Sequence, residues 1–142
     1  MSQTAGQRIV NWPDQNYQNG VTKNTATGTR FKDIARILKR LRYKMADEHI
    51  AEAAPIPSFL LECLAYNVPN TTLRLDTYTA TMRNSLFHLY DGTKTPQACV
   101  SWKEVNEQKG LFTAAQAWTP QQVNSFVVAA WNYIGFQQPW KT

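Results

Sequence analysis

The sequence has few of the residues that build metal centres or disulfide frameworks. Its 142 residues include only two cysteines and two histidines, and neither Cys63 nor Cys99 belongs to a CxxC or Cys/His spacing. Both cysteines are predicted to be buried free thiols, which fits a reducing compartment. His49 and His88 have no neighbouring ligands in the sequence, so each is interpreted as structural. These absences argue against a metal centre and against a disulfide-stapled fold.

Long apolar runs and catalytic motifs are also missing. No window approaches the roughly 18 apolar residues of a transmembrane helix, and the first residues lack the basic-then-apolar pattern of a signal peptide. We therefore expect a cytoplasmic protein without a membrane partner. The sequence contains no phosphate-binding Gly-rich loop, no GxSxG and no HExxH. It also has no Asp-x-Asp pair that could hold two Mg²⁺ ions for phosphoryl transfer, so its residues alone indicate no catalytic site.

The composition is that of one basic globular domain. Apolar residues make up 43% of the chain, and 15 Lys and Arg against 10 Asp and Glu give a formal charge of +5. The length suits a single domain with a substantial core, and the positive charge favours anionic partners. We predict one domain over residues 1–142, with an irregular lead-in over 1–28, a helical core over 29–136 and a tail over 137–142.

The most informative stretch runs from residue 29 to residue 45 and has the pattern of an amphipathic helix. Thr29 is predicted to be its N-cap, and Asp33 lies in the first turn, where an acidic side chain suits the helix dipole. Seven of the fifteen Lys and Arg residues lie between Arg30 and Lys44. This basic flank is either a solvated face or an anion-binding surface. The apolar stripe consists of Phe31, Ile34, Leu38, Leu41 and Met45, and the basic flank includes Lys32, Arg36, Lys39 and Arg40.

Three further helices are predicted after the basic one. Ser58 is expected to cap the second, the third spans about residues 75–90, and the fourth begins at Thr119–Pro120 and ends at Gly135. Their apolar stripes indicate packing around a common core. The fold class predicted from these elements is mainly α, a single-domain helical bundle of about four or five helices with little strand.

One group of residues has the chemistry of a nucleotide site. Lys39 lies on the basic flank, and Ser58 and Phe59 begin the next helix. Antiparallel packing would bring together an ammonium, a hydroxyl beside a helix N-terminus and an aromatic face. A triphosphate and a stacked base need those groups. The alternative is that Ser58 only caps its helix and Phe59 only fills the core.

Four segments, in this order along the chain, resemble those of a known family. They are FKDIARILKRLR, IPSFLLECLAYNVPN, SWKEVNEQKGLF and AWNYIGF. They are similar to the C-terminal helical half of nucleotidyltransferases related to oligoadenylate synthase and cyclic GMP-AMP synthase, in particular the bacterial cyclic-oligonucleotide synthases of anti-phage defence. By motif position, the resemblance implies that Lys39 contacts the donor triphosphate, Ser58 holds phosphate and Phe59 stacks on the base. Arg36 and Arg40 would be auxiliary nucleotide-binding residues.

The resemblance also implies a catalytic half that this sequence lacks. That half, with a Gly-Ser motif and paired acidic residues, would lie before Trp12, where the chain has only eleven residues. The sequence is therefore expected to be a piece of a longer enzyme or a separate helical module, inactive alone. We expect it to bind a nucleoside triphosphate and no cofactor by itself, with Mg²⁺ entering only with the catalytic half.

Other partners and functions stay open on the sequence alone. A catalytic nucleotidyltransferase domain or a second copy of the chain would suit an apolar surface left by a missing half. The basic flank from Arg30 to Lys44 would also suit a nucleic-acid-binding module. The third hypothesis is a non-catalytic protein-interaction domain.

Overall fold

The computed structural model describes residues 12–136, and its side chains from Asp14 onward. Over that range the chain forms six α-helices and two short 3₁₀ segments, and its β pairing is an isolated bridge between Lys103 and Gly110. The prediction of a mainly α fold with little strand is confirmed. The helices are α1 (Trp12–Ala26), α2 (Arg30–Asp47), α3 (Ser58–Tyr66), α4 (Asn70–Leu73), α5 (Tyr78–Gly92) and α6 (Pro120–Ile134).

The N-terminal helix α1 replaces most of the predicted irregular lead-in, so that prediction is wrong for Trp12–Ala26. The helix has no continuous apolar stripe and is anchored by polar contacts instead. The Asn19 side chain donates to the Val105 carbonyl at 2.7 Å, and the Lys23 ammonium donates to the Val68 carbonyl at 2.8 Å. These tertiary contacts thus stabilise a helix that the polar sequence alone does not predict. The remainder of the lead-in, residues 1–11, and the predicted tail, 137–142, lie outside the described residues.

The start of α2 is capped by Thr27, in the turn after α1, rather than by Thr29. The Thr29 backbone is left-handed, with φ of 69°, and its side chain makes no capping hydrogen bond. Its hydroxyl donates to the Asp33 carboxylate at 3.0 Å instead. The hydroxyl of Thr27 accepts from the Phe31 N–H at 3.0 Å, which satisfies an N–H of the first turn. The prediction of Thr29 as N-cap is therefore wrong.

The core is formed where α3 packs against α2 and where α6 packs against α5. The buried residues of α2 come from the predicted stripe, except that Leu41 is only partly buried and Ala35 joins the core. Cys63 and Cys99 are buried free thiols, as predicted, and burial raises the pKa of Cys63 to about 12. The largest fully buried side chains are Trp131, Phe31, Phe126, Ile34, Leu38 and Met45.

The ends of α6 agree with the sequence signals. The Thr119 hydroxyl accepts from the Gln122 N–H and the Gln122 side chain accepts from the Thr119 N–H, which is a capping box. Gly135 ends the helix in the left-handed conformation, with φ of 94°. The third predicted helix begins later than expected, because residues 75–77 are not helical and Thr77 is the N-cap of α5.

Candidate nucleotide site

The site predicted from the sequence lies along the contact between α2 and α3. The Lys39 ammonium is 2.8 Å from Glu62 Oε1, and the Lys32 ammonium is 2.9 Å from Glu62 Oε2. Both lysines come from α2 and the carboxylate comes from α3. These ion pairs join the two helices at the surface and bring Lys39 to the polar face of α3.

Ser58 lies on the same face of α3 as Glu62, because residues four apart on a helix are neighbours. Pro57 occupies the N-cap position and Ser58 is the first helical residue, without a capping hydrogen bond. The prediction that Ser58 caps the helix is therefore wrong, and its exposed hydroxyl is not used to close the helix end. Ser58 thus lies one turn before Glu62 on α3, and Glu62 is the residue that Lys39 contacts.

Phe59 is a surface residue rather than a core residue. Its side chain is 41% exposed, and its ring centroid is 6.4 Å from that of Trp118, with the rings tilted. Trp118 is held in turn by its Nε1–H, which donates to the Leu111 carbonyl at 2.8 Å. The start of α3 therefore presents a phenyl ring supported by an indole.

The loop that carries Trp118 is organised around a buried carboxylate. Glu104, 5% exposed, accepts from Asn106 Nδ2 at 2.8 Å and from Gln116 Nε2 at 2.7 Å. Its partners are neutral side-chain amides, and the one from Gln116 links two parts of the loop that are twelve residues apart. This network holds the loop that carries Trp118 and leads into α6.

Arg36 and Arg40 lie on the other flank of α2. They line a shallow pocket with Asp33, Ile37 and Tyr78, at the contact with α5. Arg36 pairs with Asp33 at 3.2 Å, and the Tyr78 hydroxyl donates to Asp33 at 2.6 Å. The Tyr78 hydrogen bond is the main reason why the pKa of Asp33 is lowered. The two arginines therefore face α5, whereas Lys39 faces α3.

Sequence reasoning placed Lys32 on the basic flank but did not assign Lys32, Glu62 or Trp118 to the nucleotide site. Glu62 is the single charged residue within α3, and Lys32 precedes Lys39 by two helical turns on the same side. Neither signal encodes the ion pairing itself, which depends on how α2 and α3 are set against each other. Burial alone would raise the pKa of Glu62, but the hydrogen bonds and charges of Lys39 and Lys32 outweigh it and lower that pKa.

The amino-acid sequence that forms these helices matches a known protein family. Residues 18–135 match the cGAS/DncV-like nucleotidyltransferase C-terminal helical domain. The chain belongs to this family. The resemblance inferred from the four sequence segments is thereby confirmed.

Individual relatives of this C-terminal helical domain are bacterial nucleotide synthases. The chain is 45% identical over 130 residues to the cyclic dipyrimidine nucleotide synthase CdnE of Legionella pneumophila, covering 92% of this chain and 43% of that protein. It is 35% identical over 129 residues to the cyclic dipurine nucleotide synthase of Elizabethkingia meningoseptica, covering 91% of this chain and 43% of that protein. The chain thus spans less than half the length of these relatives.

A solved structure has the same fold. The Elizabethkingia meningoseptica CdnE cyclic dinucleotide synthase, determined with GTP and Apcpp, matches with a TM-score of 0.82 at 35% identity. The match covers 90% of this chain and 46% of that one.

Two further properties of the helical domain concern metals and membranes. Within residues 14–136, no three His, Cys, Asp or Glu side chains are grouped so that they could hold a metal ion. None of the helices from α1 to α6 combines the length and apolar character that crossing a bilayer requires.

Proposed function

We propose that this helical domain supplies one side of a nucleoside-triphosphate site. In this proposal Lys39 contacts the phosphates, Ser58 hydrogen-bonds to them at the N-terminus of α3, and Phe59 stacks on the base. The observation that carries the proposal is that the Lys39 ammonium meets α3 at Glu62, one turn from the exposed Ser58. An ammonium, a hydroxyl and a helix N-terminus then converge on one stretch of surface.

The chemistry of each group supports its role. The first-turn N–H groups of α3 carry the positive end of the helix dipole, which favours phosphate. Ser58 is not needed as a cap, so its hydroxyl can donate to a ligand. Phe59 is exposed and its ring is backed by Trp118, an arrangement suited to base stacking, which contributes about 1–3 kcal/mol per base.

The metal-holding half of the reaction would come from a catalytic nucleotidyltransferase domain. The chain spans less than half of its relatives, and phosphoryl transfer needs carboxylates that clamp Mg²⁺. We place the activity of the complete protein with the cyclic-nucleotide synthases, in anti-phage defence. Arg36 and Arg40 would add positive potential from the α5 side rather than direct phosphate contacts.

Calorimetric titration of ATP, GTP, CTP and UTP into the 142-residue chain tests this proposal. Lys39→Ala and Ser58→Ala are expected to weaken triphosphate binding, with about a tenfold loss for the lysine because a charged hydrogen bond is removed. Lys44→Ala is the control, since Lys44 is an exposed cation in the last turn of α2. Equal affinities for wild type, Lys39→Ala and Ser58→Ala would reject the site.

A further inference from the structure

Two ammonium groups share one carboxylate on the α2–α3 contact. Lys32 and Lys39 each bond a different oxygen of Glu62, at 2.9 and 2.8 Å. The lysines are seven residues apart, two turns along α2, yet their side chains converge on one point. The three side chains are between a quarter and two fifths exposed, so solvent and small anions can reach the cluster. With Glu62 ionised, the cluster carries one net positive charge.

Lys32 is held in place from a third side by α1. A Cβ atom at Gly20 would lie 3.7 Å from the Lys32 ammonium, so the helix backbone passes close beside it. The backbone N–H of Lys32 also donates to the Asn24 side chain at 3.0 Å. The Lys32 side chain therefore reaches Glu62 beside α1, whereas the Lys39 side chain reaches it from two turns further along α2.

We propose that Glu62 holds, in the nucleotide-free domain, the position that a phosphate group takes between Lys32 and Lys39. Lys32 is then a second phosphate-binding residue, and Glu62 is an internal competitor that keeps both lysines in place. This inference rests on the proposed function and adds a residue pair to its site.

The exchange of carboxylate for phosphate is chemically balanced. Both are oxyanions that accept short charge-assisted hydrogen bonds, and the lysine ammonium has three rotatable donors that can turn from one to the other. Partly exposed ion pairs contribute little to stability, so breaking the pairs with Glu62 costs little. The carboxylate stays nearby after the exchange and repels the bound phosphates. Neutralising Glu62 should therefore strengthen binding, which a purely structural link between α2 and α3 would not predict.

Calorimetric titration with inorganic tripolyphosphate, which has no base, tests the cluster directly. Lys32→Met is expected to weaken binding about tenfold, as Lys39→Met does, because each removes one charged donor. Lys32→Arg should retain most of the affinity, and Glu62→Gln should increase it several-fold. Lys44→Met serves as the charge-matched control on the same helix, and thermal unfolding of each variant confirms that it folds.

The outcomes separate this inference from the proposed function. If Lys32→Met binds tripolyphosphate like Lys44→Met while Lys39→Met binds weakly, Lys32 is no phosphate ligand and the inference fails alone. If Glu62→Gln weakens binding or leaves it unchanged, the competitor role fails. If neither Lys32→Met nor Lys39→Met differs from the control, the triphosphate site itself is wrong.

Discussion

Gly20 and Gly92 both lie in helices, but their surroundings differ. A Cβ at Gly92 would lie 2.4 Å from Trp102 Cζ2, and the Trp102 ring is stacked on His88 with centroids 5.6 Å apart. Gly92→Ala should therefore destabilise the domain by about 1–3 kcal/mol, because the indole must move. Gly20→Ala meets only ordinary contacts and should stabilise it by about 0.5–1 kcal/mol through helix propensity.

Urea unfolding followed by tryptophan fluorescence measures both glycine variants against wild type. The free energy of unfolding is expected to fall in Gly92→Ala and to rise in Gly20→Ala. A Gly92→Ala protein as stable as wild type would show that the Trp102 ring does not lie in close contact with Gly92, or that it can move away at no cost.

The residues of the candidate site were only partly predictable. Lys39, Ser58 and Phe59 stand out by residue type and by their positions on two successive helices. Glu62 and Lys32 do not, because an ion pair between helices depends on how the helices are set against each other. Ser58 was predicted as a cap because serine is favoured there, yet Pro57 takes that position and leaves the hydroxyl exposed.

The N-termini of α6 and α3 differ in capping, because a threonine hydroxyl caps α6 and no side chain caps α3. Alanine substitutions at the two ends should therefore change the free energy of unfolding by different amounts. Thr119→Ala removes the capping box of α6 and should cost about 0.5–2 kcal/mol of unfolding free energy. Ser58→Ala removes no capping bond, so its cost should stay within about 0.5 kcal/mol. Chemical denaturation of the two variants checks this. A large loss for Ser58→Ala would mean that the hydroxyl stabilises α3 and would spoil its use as a ligand probe.

The helices that sequence patterns predicted are those with strong apolar stripes. The stripe of α2 and the stripe and cap of α6 leave little choice of structure. The polar helix α1 has no such stripe, and its order comes from contacts such as Asn19 to Val105, 86 residues apart. No local signal encodes a contact of that range. The single turn of α4 is likewise too short to leave a periodic pattern.

For the whole molecule, the question is whether the cations of α2 form one continuous binding surface. Arg30 donates to the Leu73 and Leu75 carbonyls, and Arg42 donates to the Ala53 carbonyl, so both are committed to internal bonds. Glu62 neutralises one of the two lysines bound to it, and Asp33 neutralises Arg36. Of the seven cations between Arg30 and Lys44, two are held by carbonyls and two are neutralised by carboxylates, which leaves about three available for phosphate contacts.

This count predicts weak, shallowly salt-dependent binding to duplex DNA or RNA. Three phosphate contacts give a slope of log K against log salt of about −3 at most, whereas seven would give about −6. Fluorescence anisotropy across a salt series measures the slope, and an Arg40→Ala, Lys44→Ala variant should reduce its magnitude by about 2. A slope near −6 would require Arg30 and Arg42 to leave their carbonyl partners. It would favour the nucleic-acid-binding module over a compact triphosphate site.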